Sequence, residues 1–181
     1  MGDSEIPKST MRFLFELVKI VLIALAFSWV LRSYVVEPRK IPSGSMLPTI
    51  QLQDRVLVDK FFFKYFDHIS PGDIIVFHPP PSANTKDDYI KRVVGIAGDK
   101  LEIRNHTTYV NDQPLYEPYV VDKSKDDYGP IVIPVDSVFV MGDNRNNSVD
   151  SRKWGVLPTK NITGRTILRY WPMDQIGALA R

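Results

Sequence analysis

The sequence contains no cysteine and only three histidines. The lack of cysteine excludes disulfides, a thiol nucleophile and thiolate metal sites. A Ser-His-Asp triad would have to use His68, His78 or His106, but His78 precedes three prolines and His106 lies in a hairpin-like turn, so we interpret them as surface or loop residues. No His/Cys/Asp/Glu cluster has metal-ligand spacing, so no metal centre is predicted. No glycine-rich phosphate loop with a Lys-Ser/Thr ending occurs. We therefore expect no cofactor and no metal.

A strong charge of one sign is also missing. Lys and Arg number 23, Asp and Glu number 21, and the formal net charge is +2. Such a balance provides no basic field for nucleic acid, so no nucleic-acid partner is expected. The 181 residues are enough for one folded domain and an anchor.

One long apolar run is present, from about Phe13 to Leu31. As a helix it rises roughly 28 Å, close to the hydrocarbon thickness of a bilayer. Glu16 and Lys19 interrupt it, but at a spacing of three residues they can pair. Apolar residues continue past Ala24-Leu25-Ala26, which favours an uncleaved signal-anchor over a cleaved signal peptide. A buried core helix is the other alternative, although so small a domain has little room for it. Cations flank both ends of the run, so charge alone does not orient it.

The first candidate for chemistry is Ser45, about ten residues beyond the apolar run. Gly44 makes its turn permissive, and Pro42 and Pro48 stiffen it. A serine in such a turn is usually a turn or cap residue. A nucleophilic serine also needs a base, because its hydroxyl is weakly reactive at neutral pH.

A candidate base lies in the strand predicted at Tyr89–Ile96. Successive residues of a strand point to opposite faces, so either Lys91 or Arg92 must face the apolar side. Burial lowers the pKa of a lysine, and a neutral lysine amine is a competent general base. The alternative is an edge strand with both cations solvated.

A third segment, Gly142–Gly155, is densely polar and follows the strand-like run Val138–Met141. Its Asp, Asn, Ser and Arg side chains can hydrogen-bond one another and hold a shape. It is either a solvated loop or a polar scaffold that orients a catalytic lysine.

Together these segments resemble bacterial-type signal peptidase I, a family of membrane-anchored Ser-Lys endopeptidases. The shared motifs occur in order and cover most of residues 13 to 170. They are Ser-Gly-Ser-Met-x-Pro-Thr at 43–49, Tyr-Ile-Lys-Arg-Val-Val-Gly-x-x-Gly-Asp at 89–99, and Gly-Asp-Asn-Arg-x-Asn-Ser-x-Asp-Ser-Arg-x-Trp-Gly at 142–155.

The resemblance implies a role for each matching residue. Ser45 is the expected nucleophile and Lys91 the expected general base. The Ser43 hydroxyl and the backbone N–H of Ser45 are the expected oxyanion donors, and Ser148 is expected to orient the lysine amine. The expected supporting residues are Asp143, Arg145, Asp150 and Arg152.

The resemblance also implies removal of signal peptides from exported preproteins, after small residues of the Ala-x-Ala type. An extended substrate binds by adding to an exposed strand. We expect Met46, Ile50, Tyr89 and Ile90 to wall shallow pockets for alanine. The full set of predicted substrate-binding residues is Ile41, Pro42, Met46, Ile50, Asp88, Tyr89 and Ile90.

The expected partners are therefore preprotein signal peptides, the lipid bilayer and the secretion translocon. The family places the N-terminus in the cytosol and the catalytic domain across the membrane, either a bacterial plasma membrane or a thylakoid. Two alternatives stay open. One is a self-cleaving repressor-type Ser-Lys protease, and the other is a non-catalytic anchored β-domain that binds a partner.

Beyond the anchor the chain is predicted to be mainly β, an antiparallel sheet that closes or half closes. The resemblance adds a small inserted subdomain at about 104–134. We expect a tail at 1–12, a transmembrane helix at 13–31 and an extracytoplasmic catalytic domain at 32–181. The predicted strands are Arg55–Asp59, Ile74–His78, Tyr89–Ile96, Lys100–Arg104, Thr108–Val110, Val138–Met141 and Thr166–Tyr170.

The run Phe61-Phe62-Phe63-Lys64-Tyr65-Phe66 has too many aromatic residues for all of them to face the core of one strand. It is either a partly buried hairpin or an apolar patch that dips into the bilayer. Trp171 is a candidate to join such a patch.

Overall fold

A single apolar helix precedes antiparallel strands in the computed structural model, which describes residues 8–65, 68–85 and 87–179. The helices are α1 Lys8–Val30, continued by a π-helical turn at Leu31–Val35, α2 Phe62–Tyr65 and α3 Ser151–Trp154. The strands are β1 Val36–Lys40, β2 Arg55–Asp59, β3 Ile74–Phe77, β4 Tyr89–Ile96, β5 Lys100–Arg104, β6 Thr107–Val110, β7 Gln113–Pro114, β8 Tyr128–Val132, β9 Ser137–Met141, β10 Leu157–Pro158, β11 Ile162–Trp171 and β12 Gly177–Ala178. The predicted fold class, mainly antiparallel β after one apolar helix, is confirmed.

Helix α1 is apolar and exposed on all sides. The stretch Ser9–Val35 is the one candidate membrane span among the described residues, and none of its apolar window is buried. The alternative of a buried core helix is therefore wrong. Lys19 Nζ lies 3.1 Å from Glu16 Oε2, as their spacing predicted. The helix is long and apolar enough to cross a bilayer.

The larger sheet has the strand order β1-β2-β11-β3-β4-β9-β10, with β12 added on β11. All of its pairs are antiparallel. The central strand β11 shifts register against both β2 and β3. Such bulges bend a strand and increase its twist, which lets this sheet curl into a half barrel.

A smaller sheet, in the order β7-β6-β5-β8, branches from the larger one after β4. Tight turns join its strands, with positive φ at Asn105 and His106 and again at Asn111 and Asp112. The predicted insertion at 104–134 contains β6, β7 and β8. The sheet begins earlier, at Lys100, because β5 pairs with β6 and β8.

Three buried apolar clusters hold these sheets together. The first lines the inside of the curl and includes the loop residues Met46 and Ile50. The second covers the opposite face around Phe77 and Trp154. The third joins the two sheets around Phe139 and Leu101. The nucleophile loop and the base strand are thus both fixed to the core.

All seven predicted strands are present, and three have the predicted bounds: Arg55–Asp59, Tyr89–Ile96 and Lys100–Arg104. Five strands were not predicted: β1, β7, β8, β10 and β12. Strand β1 is charged and contains Pro38, which is typical of an edge strand and conceals its pairing with β2. Its pairing is decided by contacts distant in sequence.

The aromatic run forms a helical turn, so the hairpin alternative is wrong. The Asp59 carboxylate accepts hydrogen bonds from the N–H groups of Phe61, Phe62 and Phe63 at 3.0, 2.8 and 3.0 Å. This cap starts α2 directly after β2. Phe63 is buried, whereas Phe62 and Tyr65 are exposed.

The predicted membrane patch therefore needs correction. Phe63 belongs to the interior, and Phe66 lies outside the described residues. Trp171 pairs in register with Arg55, at the end of β2 opposite Asp59 and the aromatic turn. Since β2 separates them, Trp171 does not join this patch.

Candidate active site

Ser45 lies in the loop between β1 and β2, and the ends of this loop are tied together. The N–H of Ile41 donates to the carbonyl of Asp54 at 2.9 Å. Met46 and Ile50 have no exposed surface and anchor the loop from below. The core thus fixes the backbone that carries Ser45.

The structure brings Ser45 and Lys91 into direct contact. Lys91 Nζ lies 2.8 Å from Ser45 Oγ and also donates to the carbonyl of Ile90 at 2.9 Å. The exposed fraction is 8% for Ser45 and 3% for Lys91. A hydroxyl and an amine that are both shielded from bulk water can exchange a proton directly.

Burial lowers the pKa of Lys91 from 10.5 to about 8, although the negative charges of Asp150 and Asp143 raise it. Burial has this effect because desolvation disfavours the ammonium form. No carboxylate among the described residues contacts Nζ. With this pKa roughly a tenth of the amine is neutral at pH 7, against fewer than about one in a thousand for an unperturbed lysine, and that fraction can accept a proton.

The neighbouring cation on β4, Arg92, is buried as well. The analysis predicted that one cation faces the apolar side, and the structure buries both. Arg92 Nε and Nη2 donate to the two Asp143 carboxylate oxygens at 2.9 and 2.8 Å. Thr49 Oγ1 donates to the same carboxylate at 2.5 Å. This pair connects β4, the nucleophile loop and the polar segment after β9.

The polar segment also holds the backbone of the nucleophile turn. The Asn144 N–H donates to the Ser45 carbonyl, and Asn144 Nδ2 donates to the Gly44 carbonyl, each at 3.1 Å. Gly142 passes so close to the Ser45 carbonyl and the Ser148 hydroxyl that a Cβ there would overlap both. Glycine is thus required at position 142 for the close approach of the two loops.

Asp150 and Arg152 form the expected pair, with Arg152 Nη2 lying 2.8 Å from Asp150 Oδ2. Asp150 also accepts the Gly142 N–H at 3.0 Å. Burial alone would raise the pKa of Asp150, but the hydrogen bond and charge of Arg152 keep it below its ordinary value. Asp150 therefore stays ionised beside the site.

Arg145 shows which residues the sequence analysis missed. Its guanidinium donates to both carboxylate oxygens of Glu117 and to the Gly142 carbonyl. The ring of Tyr119 lies 3.9 Å from the Arg92 guanidinium carbon. Glu117 and Tyr119 belong to the loop after β7, so the smaller sheet supports the scaffold. They lie in none of the three motifs, and no local sequence signal identifies them.

Two expected roles depend on hydroxyl groups. Ser43 is exposed and borders the same groove as Ser45, on the open side of the turn. Ser148 Oγ is buried beside Gly142 and makes no hydrogen bond to the Lys91 amine. The Ser148–Lys91 hydrogen bond is thus not formed in this structure, and orientation of the amine by Ser148 stays a prediction.

A groove of about 270 Å³ lies in front of Ser45 and Lys91. Of the predicted substrate-binding residues, it is bordered by Pro42, Asp88, Tyr89 and Ile90. Ile41, Met46 and Ile50 do not line it, because they pack in the core beneath. Gly44, Asn147 and Val149 were not predicted and do line it.

The groove follows an unpaired strand edge. Strand β4 pairs with β3 from Tyr89 to Arg92, but β9 joins its other edge only from Arg92 onward. No strand among the described residues therefore pairs with the second edge of Tyr89–Lys91, on the side of the groove. Such an edge can accept an extended chain as an added strand.

The chain was compared with known families and proteins. The family model described as "Signal peptidase, peptidase S26" matches residues 14–171. Signal peptidase I of Leptolyngbya laminosa is 40% identical over 173 residues, covering 92% of this chain and 84% of that protein.

A chloroplast protein and a solved structure are also similar to the chain. Thylakoidal processing peptidase 1, chloroplastic, of Arabidopsis thaliana is 38% identical over 166 residues, covering 87% of this chain and 48% of that protein. A crystal structure of a signal peptidase I from Enterococcus faecalis is 27% identical, with a TM-score of 0.48, and covers 55% of this chain and 97% of that chain.

Proposed function

This chain belongs to the peptidase S26 family of signal peptidases, and we propose that it cleaves signal peptides with a catalytic dyad of Ser45 and Lys91. The observation that carries the proposal is the 2.8 Å contact between Ser45 Oγ and the buried amine of Lys91. The lowered pKa of that amine, about 8, supports its role as the base.

In the proposed mechanism neutral Lys91 takes the proton from Ser45 Oγ as this oxygen attacks the scissile carbonyl. The Ser45 N–H and the Ser43 hydroxyl donate to the oxyanion. The Lys91 ammonium then protonates the leaving amine, which leaves an ester on Ser45. Lys91 next takes a proton from water, the resulting hydroxide attacks the ester, and the protonated lysine returns its proton to Ser45.

The ionised Asp150 has a supporting role in this cycle. Its negative charge favours the ammonium form that Lys91 reaches after each proton transfer. The contact of Asn144 with the Ser45 carbonyl holds the nucleophile turn in one conformation while this happens. We propose that Asp143, Arg145, Asp150 and Arg152 are positioning residues.

Small residues before the cut, of the Ala-x-Ala type, fit the shape of the groove. An extended substrate added to the free edge at Tyr89–Lys91 places alternate side chains toward its floor. The core residues Met46 and Ile50 lie beneath that floor and leave little depth. A shallow groove favours alanine over larger side chains.

We further propose that Ser9–Val35 anchors the protein in a bilayer, with the N-terminus cytosolic and the β body extracytoplasmic. The length and full exposure of this apolar helix support the anchor. The orientation is tested with sealed inside-out vesicles, whose cytosolic face is exposed to added protease. The β body should be protected in these vesicles. Digestion of the β body from the cytosolic side overturns it.

The dyad is tested with purified full-length protein in detergent and a preprotein that carries an Ala-x-Ala site. Ser45→Ala and Lys91→Ala should each remove nearly all cleavage, because the two groups act as a unit. His68→Ala and His106→Ala, placed on other surfaces, serve as matched controls and should keep parental rates. Product masses identify the bond that is cut.

The opposite outcome separates the alternatives. If Lys91→Ala stays active and a histidine variant is dead, the dyad assignment is wrong. If no variant changes a biological readout and the parent cleaves nothing, the chain acts as a non-catalytic binding domain.

A further inference from the structure

A second cavity lies where the anchor helix meets the β body. Its volume is about 580 Å³. Its lining includes the aromatic residues Tyr34, Phe61 and Tyr65 and charged or polar residues such as Lys60 and His78. Lys60 Nζ ties the two parts together, since it donates to the Ser33 carbonyl at 3.2 Å. None of these residues has a role in the dyad.

A polar bridge separates this cavity from the catalytic groove. Arg39 Nη2 lies 3.0 Å from Asp88 Oδ2, and His78 Nδ1 contacts the other Asp88 oxygen. Arg39 and His78 line the second cavity, whereas Asp88 lines the groove. Arg39 is held in turn by Glu37, at 2.7 Å from its Nε. The two spaces therefore share one wall, and Asp88 is its central residue.

The bridge joins β1 to the residue that precedes β4, and on each strand it lies just before a buried isoleucine. Arg39 is two residues before Ile41 on one side, and Asp88 is two residues before Ile90 on the other. Ile41 and Ile90 pack in the same core cluster. Two strand residues span roughly 7 Å, so the bridge lies about one such step beyond this part of the core on both strands.

The direction of approach follows from the chain itself. Strand β1 starts at Val36, directly after the anchor helix ends at Val35. The bridge and the second cavity thus lie at the end of the groove that faces the anchor. A signal peptide carries its apolar segment before the cleavage site, so that segment must come from this end.

We propose that the second cavity binds the substrate residues between the apolar segment of a signal peptide and its cleavage motif, with the Arg39–Asp88–His78 bridge positioning them toward Ser45. This inference rests on the proposed function. The aromatic residues that line the second cavity favour contact with uncharged side chains of the substrate. Arg39, Lys60 and Lys64 outnumber Glu37 among the fixed charges lining the cavity, so a lysine in this part of the substrate is disfavoured.

The test uses two peptides with the same Ala-x-Ala site and full-length protein in detergent. The long peptide carries four extra uncharged residues upstream, and the short peptide stops at the motif. In the parent, the long peptide should have a KM lower by about tenfold, as expected for burying roughly one large side chain. A lysine among the extra residues should remove most of that gain.

Variants then test which residues of the second cavity lower the KM of the long peptide. Tyr65→Ala and Arg39→Gln should each reduce the long-to-short ratio of kcat/KM from about tenfold to about threefold or less, mainly through KM. Arg39→Lys keeps the charge but not the branched geometry, and should give an intermediate ratio. Tyr116→Ala is the matched control, because Tyr116 is an exposed tyrosine in the loop after β7, does not line the second cavity, and should leave the ratio unchanged.

A long peptide with benzoylphenylalanine at an upstream position gives a direct readout. Irradiation should label the segment 61–65, and Tyr65→Ala should weaken the labelling. An unchanged ratio in both variants, or labelling elsewhere, overturns this inference while cleavage by the parent still supports the proposed function. If the parent and Ser45→Ala cleave neither peptide, the proposed function fails instead.

Discussion

Lys91 and Arg92 follow one another on β4, and both side chains are almost fully buried, but their surroundings differ. Arg92 meets a carboxylate with two of its nitrogens and the Gly72 carbonyl with a third. Among the described residues, Lys91 hydrogen-bonds a hydroxyl and a carbonyl and lies 5.0 Å from the centre of the Tyr89 ring, with no carboxylate in contact. A guanidinium cannot lose its proton in a protein and must be paired, whereas an amine can be buried neutral. Arg92, on one side of β4, therefore carries a permanent charge that pairs the strand with Asp143. Lys91, on the other side, can gain and lose a proton.

The largest expected effect contrasts these two neighbours in stability. Arg92→Met leaves the Asp143 carboxylate buried and uncompensated, which should lower the free energy of unfolding by about 3–5 kcal/mol. Lys91→Met removes a buried amine whose pKa is lowered from 10.5 to about 8. This variant should raise the free energy of unfolding by up to about 3 kcal/mol below pH 8. Denaturant unfolding of the β body at pH 7 measures both.

These two variants are controls for each other, since each replaces a buried cation at adjacent positions of β4 by the same apolar side chain. If Lys91→Met destabilises the protein as much as Arg92→Met does, the amine is a structural cation and the contrast is lost. Asp143→Ala should reproduce the loss seen for Arg92→Met, because it breaks the same pair from the other side.

The next largest effect is expected for kcat, when the Ser43 hydroxyl in the groove beside Lys91 is removed. If Ser43 donates to the oxyanion, Ser43→Ala should lower kcat by roughly 10²–10³ with a much smaller change in KM. Ser43→Thr retains a hydroxyl and should retain part of the rate. Steady-state kinetics on one peptide gives both constants. Equal kcat for Ser43→Ala and the parent reduces Ser43 to a turn residue.

The smallest effect is a pH dependence that only the Lys91 side can produce. Below the lowered pKa of Lys91, about 8, kcat/KM should rise about tenfold per pH unit, and it should level off above that pKa. Stability should change in a linked way. Between pH 8 and about 10.5 the unfolded lysine holds a proton that the folded one has lost, so stability rises with pH across this window.

Lys91→Met should lack this rise in stability, and comparison with the parent isolates the contribution of the lysine. A rate that peaks in acid contradicts Lys91 as the base. An identical pH dependence of unfolding in the parent and Lys91→Met places the titrating group elsewhere.

The contrast between Lys91 and Arg92 was only half visible in the sequence. Alternation along a strand predicted that one of the two cations faces the apolar side. It did not predict that both side chains are buried, because the residues that bury them lie far away in the sequence. Asp143 lies 51 positions from Arg92, and Tyr119 belongs to a loop of the smaller sheet.

The apolar candidates show the same limit. Met46 and Ile50 were predicted as walls of the substrate pockets. The loop instead turns both side chains into the core, where they hold the nucleophile from below. In the aromatic run, Asp59 caps a helical turn and thereby decides that Phe63 is buried while Phe62 is exposed. Local pattern alone does not set these directions.

The sequence by itself determined the apolar helix, most strands and the order of three polar motifs, since these depend on side-chain periodicity and turn residues within a few positions. Only the tertiary structure decided that the curled sheet places Ser45 2.8 Å from Lys91, leaves one edge of Tyr89–Lys91 unpaired and joins Arg39 to Asp88. The physical reason is that these contacts depend on the curl of β11 and on packing between segments dozens of residues apart. Burial then sets the pKa of Lys91, and burial is a property of the assembled fold.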